Sequence, residues 1–133
     1  MFVTVTSTPY GRGAIFTVPL ADSPKKKDIE LFHGFARGDT PDGIAFGASG
    51  KLYVVNNGDT EPGIIVLSPD GFEQSRITSP LFSSPANAAF DGKGWLLVVN
   101  HPISEGRKDP MLFKILRVFV DDTEQPLCRP DIP

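Results

Sequence analysis

Cysteine occurs once in these 133 residues, as Cys128, so the chain cannot form an internal disulfide and its redox compartment stays open. The simplest reading of Cys128 is a small residue in the tail. Basic residues are scarce: the formal net charge is −3, and the single basic cluster is Lys25, Lys26 and Lys27. That leaves no surface suited to neutralising phosphates, so no nucleic-acid partner is expected. No apolar run approaches the roughly 20 residues that cross a bilayer, so no membrane partner is expected and the chain reads as soluble. The opening "FVTVTST" enters a strand pattern without the charged and apolar regions of a signal peptide. No export signal is expected, and the compartment stays unassigned. Apolar residues spaced by three and four are also missing, so no helix of useful length is predicted.

Turn residues, by contrast, are plentiful. Glycine and proline, 13 of each, punctuate short runs rich in Val, Ile, Phe and Leu. That pattern belongs to many short strands joined by tight turns, and the fold class is all-β. The stretch "TPDGIAFGASGKLYVVNN" (residues 40–57) returns 44 positions later as "SPANAAFDGKGWLLVVNH" (residues 84–101), without a gap. Strands are predicted at 44–46 (A), 51–55 (B), 63–67 (C) and 73–78 (D), with "SPDG" at 68–71 forming a type I turn between C and D. A four-stranded meander repeated every 40 to 45 residues or so is the signature of a β-propeller blade.

Residues 1–40 fit the plan as a partial blade, with "FVTVT" as B, Gly13–Val18 matching Gly63–Ser68 as C, and 29–32 as D. Residues 41–84 form a full blade. Residues 85–133 form the last blade and tail, with a long strand C in "MLFKILRVFV". The chain therefore holds about two and a half to three blades, whereas a closed six-bladed ring takes roughly 260 residues.

Where the two copies differ, function can be weighed against structure. Pro41 is kept as Pro85, but Asp42 becomes Ala86, so the turn does not need the carboxylate. Gly43 becomes Asn87, and these two residue types tolerate positive φ best, which marks a position set by the backbone. The loop into strand A and the loop between B and C share one face of a propeller, around the mouth of the central channel. Asp42 is thus placed at that mouth as a ligand or catalytic group. Asn57, Asn87 and His101 are the substrate-binding candidates on the same face, and Asp59 and Glu61 line the B–C loop. Shared Asn56 and Asn100 suit a side chain that bonds its own backbone. His33 reads as a surface residue of an outermost strand, the lysine run as a solvated turn, and Trp95 as packed between blades. His101 has no second His or Cys nearby and is a poor metal ligand by itself.

The residues "TPDGIAFGASGKLYVV", "GIIVLSPDG" and "SPANAAFDGKGWLLVVNH" resemble those of the SMP-30/gluconolactonase/LRE-like family of six-bladed propellers, and the ending "ILRVFVDDTEQPLCRPDIP" is similar to the way members end. The resemblance covers the C-terminal half of a member. It implies a divalent cation at the channel mouth, calcium foremost and zinc as the other choice. The PDG aspartate, Asp42 here, would be a ligand beside a Glu and an Asn from blades that this sequence does not contain. It also implies metal-dependent hydrolysis of sugar-type lactones, a small-molecule substrate, with Asp42 or a neighbouring carboxylate activating water. Three functions stay open: such a lactonase, represented by half of itself; an NHL-like propeller that binds a ligand or protein without catalysis; and a truncated relic that only self-associates. Uncovered terminal blades favour self-association, and the missing ligands lead to an expectation of little or no turnover by this chain alone.

Overall fold

The computed structural model describes residues 1–58, 61–103 and 109–126. The expectations for Asp59, Cys128 and the last residues of the tail fall outside them. Among the described residues the regular structure is ten strands and two 3-10 turns: β1 (Phe2–Val5), β2 (Arg12–Thr17), β3 (Glu30–Arg37), β4 (Pro41–Phe46), β5 (Leu52–Asn56), β6 (Gly63–Leu67), β7 (Glu73–Thr78), β8 (Pro85–Phe90), β9 (Trp95–Asn100) and β10 (Ile115–Phe119). Each strand pairs antiparallel with its sequence neighbour, giving the sheets β1-β2-β3, β4-β5-β6-β7 and β8-β9-β10. The all-β propeller reading holds, with one complete blade between two blades of three strands each. Among the described residues the first sheet has no innermost strand and the third no outermost one.

Turn chemistry sets these breaks. In "SPDG" the Gly71 N–H bonds Ser68 O at 2.9 Å, and Gly71 takes φ 82°, a conformation glycine adopts without strain. The lysine run forms the 3-10 turn Lys26–Asp28 in the connection between β2 and β3, exposed as expected. The long strand expected over 111–120 is shorter. Pro110 and an Asp109 side chain accepting from Met111 N–H start a 3-10 turn at Pro110–Leu112, and pairing begins only at Ile115.

Strand A is longer than expected in both copies, β4 beginning at Pro41 and β8 at Pro85. The extra length carries a bulge: pairing shifts by one residue between Pro41 and Ile44, and again between Pro85 and Asn87. Positive φ is not the reason for Gly43, since neither Gly43 nor Asn87 adopts it. The reason is close approach, because a Cβ on Gly43 would lie 2.7 Å from Asn87 Cα and 2.8 Å from Ala86 O.

Alternation along the strands builds two cores. Leu52, Val54, Ile65 and Leu67 face the first sheet, where they meet Ile15 and Phe35. Tyr53, Val55, Ile64 and Val66 face the third sheet, where they meet Leu96 and Val98. The matched letters of Gly13–Val18 and Gly63–Ser68 do not share a side: Ile15 turns onto the middle blade, while Ile65 faces back towards Ile15. A one-residue difference in register exchanges the faces of a strand.

His33 is half-buried against Phe35, with its Nδ1 2.7 Å from Gly71 O, so it joins two blades rather than sitting free at the surface. Trp95 packs within its own blade, edge-on to its cross-strand partner Phe119 and under the Arg117 guanidinium at 4.3 Å. Among the described residues it packs against no second blade, because it lies on the side of the third sheet that faces away from the middle blade.

Candidate functional site

The end of the blades that carries Asp42 is built by two equivalent backbone bonds. Asn57 N–H donates to Thr40 O and His101 N–H donates to Ser84 O, at 3.0 and 2.9 Å. Each ties a B–C loop to the loop entering strand A of the same blade, so these loops share one end as the repeat implied. Asp42 lies in the β4 bulge, half-buried, and its carboxylate makes no hydrogen bond or ion pair among the described residues. The next residue, Gly43, approaches exposed Asn87, whose Oδ1 accepts from Ala88 N–H at 2.9 Å. Asn57 is half-buried, and His101 is exposed with its ring 6.1 Å from that of Phe113. Gly43, next to Asp42 in the chain, thus packs against Asn87, while Asn57 and His101 occupy matching places in separate blades.

A calcium-type cation takes six to eight oxygens and a structural zinc about four ligands. Among the described residues no group of three His, Cys, Asp or Glu side chains converges on one point. Asp42 alone does not fit such an ion.

The densest polar cluster lies close by and was not anticipated. Asp39, 6% exposed, takes both ends of the Arg76 guanidinium, Nη1 at 2.8 Å and Nη2 at 2.9 Å. Asn56 Nδ2 donates to Asp39 Oδ1 at 2.9 Å and to Glu61 O at 3.0 Å, and Asn56 Oδ1 accepts from the N–H groups of Thr40 and Gly58. Asn56 does bond its own loop, as expected, and also fastens the neighbouring one. Hydrogen bonds from Arg76, opposed by burial and aided by the guanidinium charge and Asn56, hold the Asp39 carboxyl below its ordinary range. Glu73 and Glu61 hold the outer side of Arg76, at 2.8 and 3.4 Å. This is a clamp on the blade: bidentate, mostly desolvated and fully partnered.

In the third blade the clamp is dismantled. Ser83 stands at the place of Asp39, and Pro102 at that of Gly58. Proline has no N–H to offer, and Ser84 adopts φ 45°. Asn100 Oδ1, on a residue 1% exposed, is the one buried side-chain atom without a partner among the described residues. The signal for the clamp was in the sequence, since Asp39 changes in the same repeat that loses the Gly58 N–H, but its partner Arg76 sits in an outer strand far along the chain.

At the opposite end of the blades, the chain leaving β10 turns inward. Glu124 bridges to Gly47, and Asp122 accepts from Ser49 N–H, Ser49 Oγ and Tyr53 Oη. Burial raises the Asp122 carboxyl, and the bonds from Ser49, Tyr53 and the Thr123 N–H more than reverse this, leaving it below its ordinary range. Tyr53 is pushed up by burial and by that carboxylate.

Fold and site together define a β-propeller segment with a carboxylate, unpartnered among the described residues, at one end of an inner strand. No family model matches the chain, and no curated protein matches it. Among solved structures, a β-propeller chain in the crystal structure of a nidogen/laminin complex is similar over 74% of this chain and 36% of its own length, with a TM-score of 0.55 and 20% identity. At that identity the likeness shows the fold alone, and this chain spans about a third of that neighbour.

Proposed function

We propose that this chain is a non-catalytic interaction module of the β-propeller class, whose third sheet docks a further propeller sheet through its outward side. One observation carries the reading. Tyr53 and Val55, which hold the third blade, correspond in the repeat to Leu97 and Val99, and those two face outward, 37% and 38% exposed, beside Ile115 and Phe119. A side already used once for docking blades is thus presented a second time. The neighbour's description as a complex of two proteins agrees with this reading. Light scattering on the chain should find a species larger than a monomer, and Leu97→Asp with Ile115→Asp should return it to monomer with unchanged β-signal in circular dichroism. A monomer at every concentration of the unaltered chain would overturn the proposal.

A second reading, a share in lactone hydrolysis within a larger SMP-30/gluconolactonase-like propeller, is favoured by Asp42. Its half-buried carboxylate is free to accept a proton from an attacking water, and the bulge that holds it forms equally well around Ala86. Any divalent cation, calcium or zinc, would need ligands beyond those that the described residues bring to Asp42. The chain alone is therefore expected to show neither saturable calcium binding nor lactone turnover. Asp42→Ala should shift the unfolding free energy by no more than about 0.5 kcal/mol. A clear loss of stability in Asp42→Ala returns Asp42 to a structural role; calcium-dependent turnover by the chain alone would show that its site is complete.

A further inference from the structure

The A–B turns of the middle and third blades share one shape and close in two ways. Gly47 N–H bonds Lys51 O and Asp91 N–H bonds Trp95 O, at 2.9 and 3.0 Å, and Gly50 and Gly94 take φ 83° and 87°. In the third blade Asp91 closes the turn from within, its Oδ1 accepting from Lys93 N–H at 2.8 Å and Trp95 N–H at 3.2 Å. In the middle blade Gly47 stands in the place of Asp91, and Ser49 in that of Lys93. The carboxylate there comes from Asp122, on the segment leaving β10, whose Oδ1 accepts from Ser49 N–H at 3.2 Å. A Cβ on Gly47 would lie 2.7 Å from Asp122 Cγ, so this carboxylate fills the room that a side chain at 47 would need. Ser49 Oγ and Tyr53 Oη also donate to it, the latter at 3.0 Å, and the third blade has Lys93 and Leu97 in their places.

We infer that the A–B turn of the middle blade is a carboxylate-binding socket, and that residues 122–125 are a strap which this socket holds and can release while the blades stay folded. Gly47, Ser49 and Tyr53 all touch Asp122, and all three are exchanged in the blade whose turn closes by itself. The strap adds two backbone bonds, Ala48 N–H to Thr123 O and Gln125 N–H to Phe46 O, at 2.7 and 2.9 Å. Apart from half-buried Asp122 its residues are exposed, so opening it sacrifices little apolar contact. The blades rest on Tyr53, Val55, Ile64 and Val66 against Leu96 and Val98, which the strap does not join. Release would bare β4 at Phe46, the end of that strand opposite Asp42. The socket is separate from the outward side of the third sheet.

Amide exchange on the full chain and two variants tests this. Gly47→Asp gives the middle turn its own carboxylate, as Asp91 gives the third. The amides of Ala48 and Gln125 should then exchange at least about tenfold faster, while those of Val54 and Ile65 stay unchanged. Asp122→Ala should free the same two amides and leave the socket empty. Acetate should therefore shift the Ser49 amide resonance saturably in Asp122→Ala, but not in the unaltered chain or in Gly47→Asp, and acetamide should shift it in none. Protected Ala48 and Gln125 amides in both variants, faster exchange spread over all three sheets, or an Asp122→Ala chain indifferent to acetate would each overturn the inference.

Discussion

Asp39→Ala should lower the unfolding free energy by about 2–4 kcal/mol, read from urea midpoints of the chain and its variant. The carboxylate is nearly fully buried, receives a two-pronged guanidinium, and holds one Asn56 amide hydrogen. Removing it leaves Arg76, only 23% exposed, with its inner edge unpaired. Glu73 and Glu61 remain on the outer edge and keep the loss below that of a wholly buried pair. The same clamp gives a pH dependence with a definite sign. The Asp39 carboxyl is held below its ordinary value in the folded chain, so the unfolded chain binds the proton more readily. The stabilisation is complete above the ordinary carboxylate value of about 3.9 and is lost as pH falls from there towards the depressed folded value. The unaltered chain should therefore lose stability more steeply below about pH 4 than Asp39→Ala does. A variant with unchanged urea midpoint and the same acid profile would remove the clamp from this account.

Ile65→Ala is expected to cost about 2–5 kcal/mol and to loosen the first sheet before the rest. Ile65 is 1% exposed and stands in the cluster where Ile15 and Phe35 meet Leu52, Val54 and Leu67. Truncation removes buried methyl groups and leaves a cavity between two blades that cannot close without shifting a whole sheet. Amides of β2 and β3 should then exchange faster than those of β9. Leu20→Ala is the control: that side chain is 86% exposed and should change stability by no more than about 0.5 kcal/mol. Equal losses at the two positions, or faster exchange spread evenly over all sheets, would show that the blades do not rest on this cluster.

The sequence alone determined the strand order, the blade period and the turns, because these depend on chemistry a few residues apart. A short run of β-branched and aromatic residues makes Leu52–Asn56 a strand wherever it lies, and "SPDG" turns by its own φ preferences. The exchange of Asp42 for Ala86 likewise showed that the carboxylate is dispensable to the bulge, before the bulge itself was known. Tertiary structure decided what depends on which surfaces meet. Gly43 is glycine because another strand approaches it, not because of its own dihedral angles, and pattern matching cannot see that approach. Ile15 and Ile65 carry matching letters yet look at each other across an interface, since a single residue of register exchanges the faces of a strand. Asp39 with Arg76, and Asp122 with Ser49 and Tyr53, join positions far apart in the chain, and only the stacking of blades brings them within hydrogen-bond reach. The edge of β10 that is unpaired among the described residues belongs to the same class, for it is visible only once its neighbours are in place.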